Sequence, residues 1–128
     1  MNTSRLGLAL MHLLAKLPLP VLRGIGWGVG RLLFILAAPR RKIALRNLEL
    51  CFPEVPAAQR RAWAKDTFVV FCQTFIDRSW LWFGSEALVR SRVQLTGALH
   101  ELEGDTATIV FAPHFYSMDA GGLALPLN

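Results

Sequence analysis

The chain has 128 residues, a net charge of +5 and 53% apolar residues, with a positive mean hydropathy. That length suits one small domain, and the apolar share exceeds what a soluble core of this size requires, so part of the apolar surface is expected to meet lipid. Nucleic acid is the competing partner for a basic chain, but Leu, Ile, Val and Trp separate the charges and no nucleic-acid motif accompanies them; no nucleic acid is expected.

The eight basic residues up to Arg46 (Arg5, Lys16, Arg23, Arg31, Arg40, Arg41, Lys42 and Arg46) all precede Glu49, the first acidic residue. The positive charge is therefore concentrated at the amino-terminal end, where it suits an anionic membrane surface. Leu6 to Leu17 reads as an apolar helix ended by Pro18 and Pro20, too short to cross a bilayer alone. Val21 to Ala38 is a second apolar run in which Arg23, Trp27 and Arg31 recur every four residues as one polar-tipped stripe. Spanning and interfacial placements both fit this run. An arginine near the centre of a spanning helix costs about 3 kcal/mol on insertion scales, which snorkelling reduces. A cleaved signal peptide lacks a convincing small-residue cleavage site. Arg40, Arg41, Lys42 and Arg46 follow the apolar run and place it, by the positive-inside tendency, with the rest of the chain on the cytoplasmic side. Residues 1–39 are expected to form a membrane-associated helical segment and residues 40–128 a second domain.

From Arg46 to Glu54 a basic helix end is broken by Pro53, and Pro56 opens a new helix reaching about Phe83. Its aromatic residues (Trp63, Phe68, Phe71, Phe75, Trp80, Trp82, Phe83) alternate with Arg60, Arg61, Lys65, Asp66, Asp77 and Arg78, so one side is expected to be wet and the other packed or lipid-facing. The apolar side reads either as core or as a groove for a hydrocarbon chain. Cys51 and Cys72 lack zinc or redox spacing and read as buried, reduced thiols, with no metal implied. His12 and His100 lack convergent ligands.

Beyond this helix, Val93 to Thr96 reads as a short strand, Ala98 to Leu102 as a brief helix or turn, and Thr106 to Phe111 as a β-branched strand after Gly104-Asp105. Strand, helix, strand, loop and helix form the beginning of an α/β sheet. Such a two-strand start leaves an unpaired edge, a source of aggregation. Ala112-Pro113 would turn the chain out of the second strand, His114 would sit at its carboxyl end, and Asp119 would lie in the first turn of the next helix. A neutral imidazole takes a proton from a hydroxyl, and a carboxylate five positions on fixes its tautomer and stabilises the imidazolium. The competing reading of this spacing is a turn histidine beside a helix N-terminal carboxylate. Ser117 lacks a nucleophile-elbow sequence and reads as structural. Gly121 and Gly122 allow close substrate approach or helix packing against the strand.

The block Asn47-Leu48-Glu49-Leu50-Cys51-Phe52-Pro53-Glu54, followed by His114-Phe115-Tyr116-Ser117-Met118-Asp119, resembles the lipid A biosynthesis acyltransferases of Gram-negative bacteria, the late lauroyl and myristoyl transferases. The resemblance covers nearly the whole chain as the amino-terminal portion of such an enzyme, and many relatives carry Glu where Asp119 stands. It implies transfer of a fatty acyl chain from an acyl carrier protein thioester to a hydroxyl of a lipid A precursor, at the cytoplasmic face of the bacterial inner membrane, without a cofactor. It also implies that His114 is the general base and Asp119 its orienter, within a glycerolipid-acyltransferase-like α/β sheet left incomplete in this chain. Members continue well past the position of Asn128. The alternative is therefore a catalytically inactive membrane-associated fragment of such an enzyme.

Overall fold

The structure is a computed structural model that describes residues 3–104, 106–109, 111–113 and 115–127. Among the described residues there are six α-helices: α1 (Thr3–Leu14), α2 (Leu19–Leu36), α3 (Ala38–Cys51), α4 (Ala57–Phe83), α5 (Glu86–Arg92) and α6 (Met118–Ala124). Short 3-10 turns lie at Leu99–Leu102 and Leu125–Leu127. The chain divides into two compact units, Leu17–Asp77 and a second made of Met1–Lys16 with Arg78–Asn128; the division falls inside α4.

Within the first unit, Pro18 and Pro20 begin α2, with a proline in its first turn, where a missing N–H costs nothing. Leu22, Gly26, Gly30 and Phe34, each four apart, form its buried face. The two glycines set the approach of α2 to α4. A Cβ on Gly26 would lie 2.6 Å from Cγ of Gln73, and one on Gly30 would lie 2.5 Å from Cα of Val69. Farther along, Phe34 meets Phe68 edge to face at 5.4 Å. Together with Ala64, and flanked by Leu33, Ala37, Ala44, Leu45 and Leu48, they bring α3 into the same core. Arg23 of α2 meets Asp77 of α4 at 2.8 Å, and Gln73 donates to the Arg23 carbonyl at 3.0 Å. Asp77 is buried, whereas its place among the charges of α4 predicts a wet carboxylate; a salt bridge 54 residues away in sequence is what makes its burial tolerable.

The block Asn47 to Glu54 forms the end of α3 and the turn into α4. Arg60 donates to the carbonyls of Phe52, Pro53 and Val55, tying the turn after α3 to the first turns of α4. Phe52 packs edge to face on Trp63 at 5.5 Å. Cys72 is buried and desolvation pushes its thiol pKa up. Cys51 is exposed, contrary to the expectation that both thiols are buried; it is the last residue of α3, beyond the stretch from Ala44 to Leu48 that packs on the core.

In the second unit, His12 of α1 meets Phe83 edge to face at 5.3 Å. Helix α5, absent from the sequence reading, has clear local causes. Ser85 caps it by accepting from Leu88 N–H, and Glu86 pairs with Arg90 one turn on at 2.7 Å.

The expected α/β sheet is not present among the described residues. Among the described residues no strand forms: Val93 to Thr96 is irregular, as are the described positions from Thr106 to Phe111. Ile109 and Phe111 are 97% and 88% exposed. A strand is held by ladder hydrogen bonds and a buried face. The β-branched composition of Thr106 to Phe111 supplies the propensity for a strand but neither of these partners. The expectation of an unpaired sheet edge falls with it. The described chain is helical throughout its regular structure.

Candidate active site

Asp119 lies in the first turn of α6, as its sequence position predicts, where a carboxylate is favoured by the helix N-terminus. The turn before it runs through Tyr116 and Ser117. Ser117 adopts a left-handed backbone (φ 68°, ψ 14°) and caps α6 without a side-chain hydrogen bond. It is a turn residue, and holding a non-glycine residue there costs about 1 kcal/mol. The turn is closed by Met118 N–H donating to the Phe115 carbonyl at 3.4 Å and Ala120 N–H to the Ser117 carbonyl at 2.9 Å.

The partner of Asp119 comes from far away in sequence. Arg78 Nε donates to Asp119 Oδ2 at 2.6 Å across 41 positions. Both side chains are partly open to solvent, 38% and 40% exposed. Arg78 and Trp82 are four apart on the last turns of α4 and so share a face. Both line a groove of about 810 Å³, with Pro113, Phe115, Tyr116, Met118 and Leu123 as its apolar wall and Arg78 and Asp119 as its charged end. Its size falls in the range of small-molecule sites.

His114, the expected base, lies outside the described residues. Pro113 and Phe115, its neighbours in the chain, line the groove together with Asp119. Gly121 and Gly122 line it as well, and a Cβ on either would meet nothing within 4 Å. They are therefore not close-packing glycines, and the alternative of tight packing against a strand falls with the strand itself. Arg78 is the residue that the sequence reading missed, having placed it on a solvated face. A signal did exist: Asp77-Arg78 is a charged step between Phe75-Ile76 and Trp80-Leu81, and charges set among large apolar residues are generally paired. His12 and His100 are exposed, and no group of three metal-ligating side chains occurs among the described residues.

An ion-paired carboxylate at one end of an apolar groove suits a ligand with a polar reacting end and a hydrocarbon body. Comparison with known proteins identifies the family. The profile of the family described as bacterial lipid A biosynthesis acyltransferase matches residues 2–128. A lipid A biosynthesis acyltransferase of Haemophilus influenzae is 32% identical over 127 residues, which cover 96% of this chain and 40% of that protein. Two Escherichia coli proteins are similar to a like degree. A lipid A biosynthesis lauroyltransferase is 29% identical, covering 91% of this chain and 39% of its own length, and a lipid A biosynthesis palmitoleoyltransferase is 30% identical, covering 94% and 40%. These two are named for different acyl groups at nearly equal identity, so overall similarity does not assign the acyl group. The chain spans about two fifths of the length of the curated relatives it matches. No solved structure matches it significantly. The resemblance carried by the Asn47 to Glu54 and His114 to Asp119 blocks thus holds across the chain, which belongs to the bacterial lipid A biosynthesis acyltransferase family.

Proposed function

We propose that this chain supplies the base, its carboxylate partner and part of the acyl groove for transfer of a fatty acyl group to a hydroxyl of a lipid A precursor, with an acyl carrier protein thioester as donor and no cofactor. The observation that carries the reading is the placement of Asp119 at the charged end of an apolar groove, held by Arg78, in a chain of this family. His114 takes the proton of the acceptor hydroxyl as the oxygen attacks the thioester carbonyl. The tetrahedral intermediate then collapses, the carbon–sulfur bond breaks, and His114 returns the proton to the departing carrier thiolate. Asp119 orients the imidazole and stabilises its charged form. A carboxylate accepts at both oxygens, so the bond from Arg78 to Oδ2 is compatible with a second to the imidazole. Arg78 acts as a positioning residue. The apolar wall formed by Trp82, Phe115 and Met118 receives hydrocarbon, each buried methylene being worth about 0.8 kcal/mol.

Membrane association at the cytoplasmic face of the bacterial inner membrane belongs to the same proposal, with residues 1–39 as the membrane-associated segment and 40–128 as the start of the acyltransferase domain. Helix α2 is long and apolar enough to cross a membrane. Flanking the buried face of Leu22, Gly26 and Gly30, α2 carries exposed Val21, Ile25, Val29, Leu32 and Leu36, a continuous apolar arc. Arg31 lies beside that arc, its guanidinium 5.3 Å from the Trp27 ring.

The test is carrier-dependent acylation of a lipid A precursor by the protein carrying this chain. His114→Ala and Asp119→Ala should each lower kcat by about a hundredfold or more, the usual scale for a lost general base. Wild-type turnover unchanged by His114→Ala would refute the base assignment. A folded, vesicle-bound protein without any turnover would favour the noncatalytic membrane-associated reading.

A further inference from the structure

A second groove, of about 430 Å³, lies between α3 and the first turns of α4, wholly within the Leu17–Asp77 unit. Lys42, Arg46, Arg60 and Arg61 line it with a single carboxylate, Glu49. The four cations are not equivalent. Arg46 is 2.6 Å from Glu49, whose pKa is lowered first by that hydrogen bond and then by the charges of Arg46 and Arg60. Arg60 is spent on the backbone carbonyls of the α3–α4 turn. Lys42 and Arg61 are both exposed, and among the described residues neither has a carboxylate within ion-pair distance.

This pair of uncommitted charges sits beside an apolar edge. The Arg61 guanidinium lies 5.5 Å from the Phe34 ring, and Arg41 lies at the same distance. Arg41 also donates to the carbonyls of Phe34 and Ile35 at 2.6 and 2.7 Å, tying α3 to the end of α2. In that last turn of α2, Ile35 and Leu36 are 67% and 69% exposed. Exposed aliphatic side chains that follow directly on Phe34, the ring contacted by Arg61 of the cationic groove, match a ligand with an anionic head and an apolar body. Free phosphate would use the cations and leave the aliphatic edge in water.

We propose that the groove between α3 and α4 binds the phosphate headgroup of an anionic membrane phospholipid, with Lys42 and Arg61 as its direct ligands and Ile35 and Leu36 against its acyl region. Guanidinium and ammonium groups suit phosphate oxygens by charge-assisted hydrogen bonding. The site shares no lining residue with the Arg78–Asp119 groove and does not depend on acyl transfer.

The experiment measures partition of the protein onto vesicles of phosphatidylcholine alone and of phosphatidylcholine with an equal part of phosphatidylglycerol, at physiological ionic strength. The double variant Lys42→Gln/Arg61→Gln should lose about 30-fold in partition onto the anionic vesicles, the effect of two basic side chains at a membrane surface. Its partition onto neutral vesicles should stay within about twofold of wild type. Lys42→Arg/Arg61→Lys should keep most of the binding, and Arg90→Gln, which removes a charge already paired with Glu86, should change it little. An unchanged double variant overturns the site. So does an equal loss on neutral vesicles, which would mean lost folding or apolar contact, or an equal loss in Arg90→Gln, which would mean diffuse charge. Displacement from vesicles by millimolar inorganic phosphate would assign the groove to a soluble anion instead.

Discussion

The two compact units use the same materials, apolar helices and arginine–aspartate pairs, to different ends. In Leu17–Asp77 the helices close on one another. Gly26 and Gly30 remove side chains so that α2 meets the α4 backbone, and the aspartate of the Arg23–Asp77 pair is buried. In the unit that contains Arg78 and Asp119, large apolar residues stand open along a groove, its glycines touch nothing, and both partners of the ion pair reach solvent. Packing density therefore separates a closely packed region from one whose groove stands open, and the same substitution should have opposite consequences in the two.

Glycine replacement gives the largest contrast. Gly30→Leu forces a side chain into the backbone of Val69 and should destabilise by about 3 kcal/mol. Gly122→Leu has open space around its Cβ and should be neutral or stabilising by up to about 1 kcal/mol through helix propensity, while obstructing the groove. Urea unfolding in detergent, followed by circular dichroism, measures both. Equal costs would mean that the groove is closed in solution.

Charge removal comes next. Arg23→Ala leaves Asp77 buried without the partner at 2.8 Å, and about 2 kcal/mol of stability should be lost, since Arg23 itself is partly exposed. Arg78→Ala breaks a more open pair and should cost less than about 1 kcal/mol. The order reverses in turnover, where Arg78→Ala should lower kcat at least tenfold, with Arg78→Lys recovering part of it, while Arg23→Ala leaves kcat of the folded fraction unchanged. A purely structural Arg78 would show the loss in stability alone.

The smallest effect concerns the turn before α6. Ser117→Gly should raise stability by about 1 kcal/mol, because glycine takes the left-handed conformation without steric cost. Thermal unfolding checks this. A loss of stability would show that the Ser117 side chain makes contacts worth more than the backbone strain.

Much of the helical plan is legible in the residues themselves. Pro18, Pro20, Pro53 and Pro56 mark where helices stop and start, because a proline constrains φ and lacks an N–H wherever it stands. The position of Asp119 in the first turn of a helix is legible for the same local reason. Helix α5 carries its own signature in Ser85, Glu86 and Arg90, a cap and an ion pair one turn apart, although no helix is expected there from the sequence reading. The strand expectation at Thr106 to Phe111 fails for a physical reason: β propensity describes a residue's fit to a pleated, half-buried surface, and the described positions of this segment have no such surface around them.

What the sequence by itself determined is therefore local or statistical: helix boundaries, the basic amino-terminal stretch, the apolar character of α2 and the family blocks. What only the tertiary structure decided is which distant groups meet. Arg23 and Asp77, Arg78 and Asp119, and Gly30 and Val69 are separated by 54, 41 and 39 positions. Each pairing depends on how helices approach one another, and no dihedral preference or periodicity within a single segment encodes that approach. The charged end of the groove follows from it: Asp119 is placed by its own turn, but Arg78 reaches it only because the chain folds back on the end of α4.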